Sequence, residues 1–338
     1  MRAPPLGGQP RSRLEDVMRH ARLYMAILAV LLPFEGHAIA ALPRSSMVQV
    51  EPGVQLEIVD WGGTGRPLIF LAGFGGTAHT FDGFAPQFVD RHRVIAITRR
   101  GFGASSHPVP TEANYSPERL AADVAAVIDR LGLSRPVIVG HSVAGQELTV
   151  LGLRYPGKIA GLIYLEAANA QAFYGPSSDV LYPVAGQIRQ DLGQLISGQP
   201  SEAPALLDKI EAELPRLKRG LAWYRAAAKG EPDRPAGVLA SPQMAVQSAI
   251  MHGARIWGPV NVPVLSIVAL PPACSTDCNS ERQKARAEAD AAQARDFEAA
   301  QPHAVVVRIP NAGHFIWRSN EREVRTVMDR FLDSDAMK

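Results

Sequence analysis

Ser142 stands in Gly140-His141-Ser142-Val143-Ala144, between an apolar run ending at Val139 and a helical stretch, Val143–Tyr155. A serine on a sharp strand-to-helix turn projects its hydroxyl out of the bend. Small flanking residues let the turn close and the helix pack against the strand, as in the G-x-S-x-G nucleophile elbow. The last position is Ala144 rather than glycine, with Gly145 next, and alanine still meets the steric demand. A hydroxyl is a weak nucleophile until a base takes its proton. Of the nine histidines, His314 is best placed to be that base, in Pro310-Asn311-Ala312-Gly313-His314-Phe315 after the last apolar run. A turn at the C-terminal edge of a parallel strand faces the same rim as the elbow. His79, His92, His107, His252 and His303 carry no motif and are read as surface or packing residues, with His252 placed where it can line a pocket.

Acyl transfer also needs donors for the oxyanion. The N–H of Val143, at the start of the helix after Ser142, is free to donate. A second donor is expected from Leu71-Ala72-Gly73-Phe74-Gly75-Gly76, where glycine lets the backbone approach a ligand, and the Phe74 N–H is the candidate. The loop has no G-K-[ST], so a P-loop is excluded. Gly73, Gly75, His141, Trp223 and Met251 are expected to border the substrate. The chemistry calls for no cofactor, and no histidine–cysteine cluster has metal-ligand spacing.

These residues need a scaffold that brings several strand ends to one rim. Val48–Val50 and Gln55–Val59 read as antiparallel strands joined at Pro52-Gly53. Leu68–Leu71, Arg93–Thr98, Pro136–Val139, Ile159–Leu165, Val262–Leu270 and Val305–Ile309 are further apolar strands. Ser116-Pro117 predicts a helix start, Leu120, Val124, Val127, Ile128 and Leu131 its buried stripe, and Gly132 its end. Asn320 and Glu323 predict a capping box for a last helix buried through Val324, Val327, Met328 and Phe331. Strands alternating with helices give a mostly parallel sheet. Residues 169–259 hold helical stretches, Pro204–Arg216 and Leu221–Lys229, and no clear strand. A segment of that size is too long for a loop and predicts a helical cap. Its Phe173, Tyr174, Tyr182, Trp223, Tyr224, Met244, Met251 and Trp257 suit an apolar pocket or the core of the cap itself. Ser280–Ala300 reads as a solvated helix.

The 338 residues are 46% hydrophobic and 20% charged, as in an ordinary globular chain, and need no metal to supply a core. The net charge of +2 comes from residues 1–40, with five arginines and three acids; the rest carries 30 basic and 30 acidic residues, which gives no reason to expect a nucleic acid partner. Arg19 and Arg22, the apolar run Tyr24–Phe34 and Ala38-Ile39-Ala40 read as a secretory signal peptide over 1–40, more compact if translation starts at Met18. Its apolar run is short for a membrane span, so an exported, periplasmic or secreted protein without stable membrane insertion is expected. The only cysteines, Cys274 and Cys278, are near enough for a disulfide, which export favours.

Four segments in order, Gly73–Gly76, Arg100-Gly101-Phe102-Gly103-Ala104-Ser105, Gly140–Gly145 and Gly313-His314, resemble the α/β-hydrolase superfamily in its capped, serine-nucleophile branch. The resemblance covers roughly residues 47–333. It implies an α/β-hydrolase fold, a mostly parallel eight-stranded sheet flanked by helices, with a core of 41–168 and 260–338 and a cap inserted at 169–259. Two positions depart from the pattern: the histidine that usually precedes the oxyanion glycine is Ala72, and the aspartate that often opens the R-G-x-G segment is Thr98. The family's triad also needs an acid to orient His314. In most members it follows the strand that is Val262–Leu270 here, but the next residues, Pro271-Pro272-Ala273-Cys274-Ser275-Thr276, hold none before Asp277. In another branch the acid ends the preceding strand, and Glu166 stands there. Glu166 is therefore the expected acid and Asp277 the alternative.

The expected activity is hydrolysis of a carboxylic ester or lactone of small to medium apolar size through an acyl-Ser142 intermediate. Carbon–carbon bond or amide hydrolysis on the same triad, and a non-catalytic ligand-binding protein on the same scaffold, are the alternatives. The resemblance implies aspartate at the elbow for dehalogenases and epoxide hydrolases, against serine here.

Overall fold

A computed structural model describes residues 43–167, 181–230, 242–254, 258–274 and 278–337. The expected signal peptide lies outside the described residues. Eight strands form one sheet: β1 (Arg44–Glu51), β2 (Val54–Gly62), β3 (Leu68–Leu71), β4 (Val94–Ile97), β5 (Val137–His141), β6 (Gly161–Leu165), β7 (Val264–Ala269) and β8 (Val305–Ile309). Their order is β1-β2-β4-β3-β5-β6-β7-β8. β1 and β2 form the expected hairpin, β2 runs antiparallel to β4, and every pairing from β4 to β8 is parallel.

The central strands are apolar on both faces because both faces are covered. Leu68, Phe70, Val94, Ala96, Val137 and Val139 point into a layer with Phe81, Phe84, Trp317, Val324 and Met328. Ile69, Leu71, Ile95, Ile97 and Ile138 alternate to the other face, against α1 (Pro117–Arg130) and α2 (Ala144–Arg154). The start of α1 is as expected: Ser116 accepts the Arg119 N–H, Pro117 opens the helix, and Gly132 beyond its end has φ +59°.

Between β6 and β7 stand α3 (Leu181–Ser197), α4 (Ala203–Gly230) and α5 (Pro242–Gly253). α4 corrects the sequence reading, which split it between Arg216 and Leu221: that gap lies inside one continuous helix, as does Pro215. A proline there costs one backbone hydrogen bond, and packing against α3 through Val184, Ile188, Ile210 and Leu217 carries the helix through. α5 packs over the elbow. Its Val246, Ala249 and Ile250 pack with Phe102, Leu120 and Val143.

Two further expectations are corrected. α6 (Glu281–Ala300) is not solvated all round: Ala294 and Phe297 are buried, and the Phe297 ring lies 5.6 Å from that of Tyr164. The capping box before α7 (Glu321–Leu332) does not form. Asn320 makes no side-chain cap and its Oδ1 is buried without a partner among the described residues, because the chain enters from a one-turn helix, Ile316–Ser319, which fixes Asn320 away from cap geometry. Cys274 and Cys278 are disulfide-bonded, with Cα atoms 5.6 Å apart. Among the described residues no helix is long and apolar enough to cross a membrane.

Candidate active site

The elbow begins at Gly140. A Cβ there would lie 2.3 Å from Leu148 Cδ1, so glycine is what lets α2 lie this close to β5. Ser142 then turns the chain with φ +54°, a left-handed conformation that a non-glycine residue holds only under constraint. The constraint is visible. Ser142 donates its N–H to the Leu165 carbonyl of β6 at 3.3 Å, and the Val143 and Ala144 side chains are buried at the start of α2.

His314 reaches Ser142 from the turn after β8. Its Nε2 is 3.1 Å from Ser142 Oγ and its Nδ1 3.5 Å from Glu166 Oε2. The second contact is at the outer limit of hydrogen bonding, as is common before substrate binds. Two crosslinks hold the turn: Asn311 donates to the Pro271 carbonyl and Ala273 to the Ala312 carbonyl, each at 2.8 Å.

Glu166 leaves β6 with φ +49°, donates its N–H to Ile267 of β7, and accepts the Ala269 N–H on Oε1 at 2.5 Å. β7, which carries no acid at its end, thus supplies a donor that orients the carboxylate of β6. Asp277, the alternative acid, lies outside the described residues. A small cavity behind Glu166 is lined by Ser266, Phe297 and Asp290 of α6. Burial raises the pKa of Asp290 from its ordinary value, against the pull of Arg286, and Glu166 adds to the rise. The sequence reading passed over Asp290, whose surroundings in a charged, alanine-rich helix give no signal.

The oxyanion loop lies beside the nucleophile, because β3 pairs with β5 with Leu71 opposite Gly140. A Cβ on Gly73 would meet His141 Nδ1 at 2.8 Å and Ser142 Cβ at 3.1 Å. The Phe74 and Val143 N–H groups make no backbone hydrogen bond among the described residues, so both can serve a ligand. Gly75, with φ +70°, faces Gln243 of α5 across a cleft bordered by Phe102 and Val246. Met251 is half-buried on α5. The side chains of Trp223 and His252 are outside the described set, as are Phe173, Tyr174, Tyr182, Tyr224 and Trp257. Thr98, one of the two departures, is buried, accepts the Ala78 N–H at 2.8 Å and donates to Glu57 at 2.7 Å.

His141 is buried rather than open to the cleft, against the sequence expectation. Its side chain alternates off β5 into the layer beneath His314. It is 2% exposed, packs against the rings of His314, Phe315 and Trp317, and donates from Nε2 to the His314 carbonyl at 3.0 Å. Burial, helped by nearby His314, lowers its pKa from 6.5 to about 3. Below about pH 6.5 the unfolded chain takes up a proton here that the folded chain refuses. Stability therefore falls as pH drops from 6.5 toward 3, by up to about 1.4 kcal/mol per pH unit from this residue. His141→Gln keeps an amide donor and cannot titrate. Urea titrations at pH 7 and pH 5 should show a smaller loss of stability in the variant, and equal losses would refute this source.

Among the described residues no cluster of histidine, cysteine, aspartate or glutamate could hold a metal ion. The arrangement can pass a proton from Ser142 to His314 and hold the resulting cation beside a carboxylate.

Comparison with known proteins finds the alpha/beta hydrolase family over residues 68–327. Over 107 residues the chain is 34% identical to a fluoroacetate dehalogenase of Burkholderia sp, a match covering 31% of this chain and 35% of that protein. Over 91 residues it is 40% identical to epoxide hydrolase A of Mycobacterium tuberculosis, covering 26% and 28%. The matches thus span only about a third of these relatives' length. Among solved structures, a probable hydrolytic enzyme of Pseudomonas aeruginosa superposes with TM-score 0.56 over 86% of this chain and 94% of its own, at 19% identity, a likeness of fold.

Proposed function

The chain belongs to the alpha/beta hydrolase family, and from that premise we propose that it hydrolyses a carboxylic ester or lactone through an acyl-Ser142 intermediate. The observation that carries the reading is His314, with one ring nitrogen 3.1 Å from Ser142 Oγ and the other facing Glu166. His314 takes the hydroxyl proton as Oγ bonds to the substrate carbonyl carbon. The oxyanion gathers donors from Phe74 and Val143, and the protonated histidine returns its proton to the leaving alkoxide. Water, deprotonated by the same nitrogen, then cleaves the acyl-serine and releases the acid. Glu166 keeps the Nδ1 proton in place and stabilises the imidazolium.

The relatives' names, dehalogenase and epoxide hydrolase, fit this site poorly for a chemical reason. Attack at a saturated carbon by a serine hydroxyl leaves an ether, which water does not cleave under mild conditions. The same attack by a carboxylate leaves an ester, which it does. Of these two kinds of carbon, a serine nucleophile turns over only at the acyl one. Phe102 and Val246 border the cleft beside the oxyanion loop, which favours an apolar acyl or alcohol group.

The test is a panel of nitrophenyl esters of rising acyl length with several lactones. Turnover that peaks at a definite chain length, with a fluorophosphonate adduct on Ser142, is the expected result. An adduct without turnover of any ester or lactone redirects the search to amide or carbon–carbon substrates. Neither adduct nor turnover in folded protein favours a ligand-binding role. Export rests on residues 19–40 and on the Cys274–Cys278 bond, and cell fractionation with N-terminal sequencing tests it.

A further inference from the structure

Arg99 and Glu147 form an ion pair in which both side chains are buried, 5% and 3% exposed. Arg99 Nε donates to Glu147 Oε1 at 2.5 Å, and its Nη2 donates to the carbonyl of Ala72 at 2.9 Å. Glu147 sits in the first turn of α2, five residues past Ser142, and Ala72 is the last residue before Gly73 of the oxyanion loop. One buried cation therefore joins the two segments whose spacing decides whether the Phe74 and Val143 N–H groups converge on one point.

The attachment also fixes an orientation. In a trans peptide the C=O and N–H point opposite ways, so holding the Ala72 carbonyl against Arg99 sets the plane from which the loop departs. Slack is costly here, since Gly73 already lies against His141 and Ser142. At position 72 the family pattern has a histidine; Ala72 has no polar side chain to anchor the loop, and its carbonyl is held from below instead.

Stability does not account for the pair. A buried ion pair is commonly replaceable by apolar residues with little loss, and Arg99 Nη1 is buried without a partner among the described residues. We propose that Arg99 and Glu147 are positioning residues that set the geometry of the oxyanion hole. This rests on the acyl-transfer reading above.

The test replaces both charges at once, Arg99→Met with Glu147→Leu, because removing one would strand the other in the core. Wild type and variant are compared by thermal melt, by kcat and KM on the best ester, and by inhibition with a trifluoromethyl ketone, whose hemiketal adduct on serine carries an oxyanion. The expected variant melts close to wild type and keeps KM within about threefold. Its kcat falls about 10- to 100-fold, a fraction of what loss of a whole donor costs, and ketone affinity falls by a similar factor. Arg99→Lys, which keeps a charge but not the two-pronged geometry, should recover part of both. A folded double variant with kcat and ketone affinity within twofold of wild type overturns the inference. Should the double variant fail to fold, Glu147→Gln is measured the same way, with the same two outcomes. A wild type that accepts no fluorophosphonate overturns the acyl-transfer reading itself, an outcome visible before any variant is made.

Discussion

Replacing Ser142 by alanine is expected to lower ester turnover by on the order of 10⁶-fold, to what the oxyanion hole and binding alone provide. The change deletes one oxygen and leaves the elbow's backbone intact, so the melting temperature should stay within a few degrees of wild type. Ser142→Gly should be equally inactive yet more stable, by about 1 kcal/mol, because glycine adopts φ +54° without the strain a side chain brings. Together the two variants separate chemistry from folding. Turnover surviving in either would mean that another group attacks the substrate.

The second large effect concerns Glu166. Glu166→Gln should lower kcat by about 10⁴-fold with little change in KM, the scale seen when an orienting aspartate becomes an amide. The geometry gives the reason. The Ala269 N–H already donates to Oε1, so in the variant the amide oxygen stays with that donor and the NH₂ group faces His314 Nδ1. An NH₂ group there demands a bare Nδ1, which places the ring proton on Nε2 and leaves nothing to accept from Ser142. Asp277→Asn should leave kcat nearly unchanged. If the two variants exchange phenotypes, the acid comes from the disulfide loop and Glu166 is a structural carboxylate.

How far the sequence revealed this site depended on whether a residue's meaning was local. Ser142 between a strand and a helix, and His314 in a turn after the last strand, are recognisable because the turn chemistry is written in their neighbours. The strands were readable for the same reason, as short apolar runs bounded by Gly, Pro and Asn. Glu166 was reached through chain order within a family pattern, and only the structure shows the Ala269 N–H that orients it. His141 was misplaced because alternation along β5, one residue before the elbow, sends it inward. Arg99 and Glu147 left little trace: Arg99 follows β4 between Thr98 and Arg100, and Glu147 stands beside Gln146 in the buried helix α2. Nothing local indicates that the two meet, since their partners are 48 residues apart. α4 was split because a helix breaker was given its usual weight at Gly220, where packing of the helix against α3 overrides it.

The turn after β7, with no acid of its own, is tied instead to the turn that carries His314: Pro271 to Asn311 and Ala273 to Ala312. This divides the chain sharply in its tolerance of change. A residue inserted at 271–273 would slip that ladder by one place and carry His314 off Ser142, although no reacting group had been altered. Past the disulfide, α6 belongs to no strand pairing, and register with β7 returns only at β8. Length variation among natural variants of this protein should therefore collect between Cys278 and β8, a few residues from a segment that permits none.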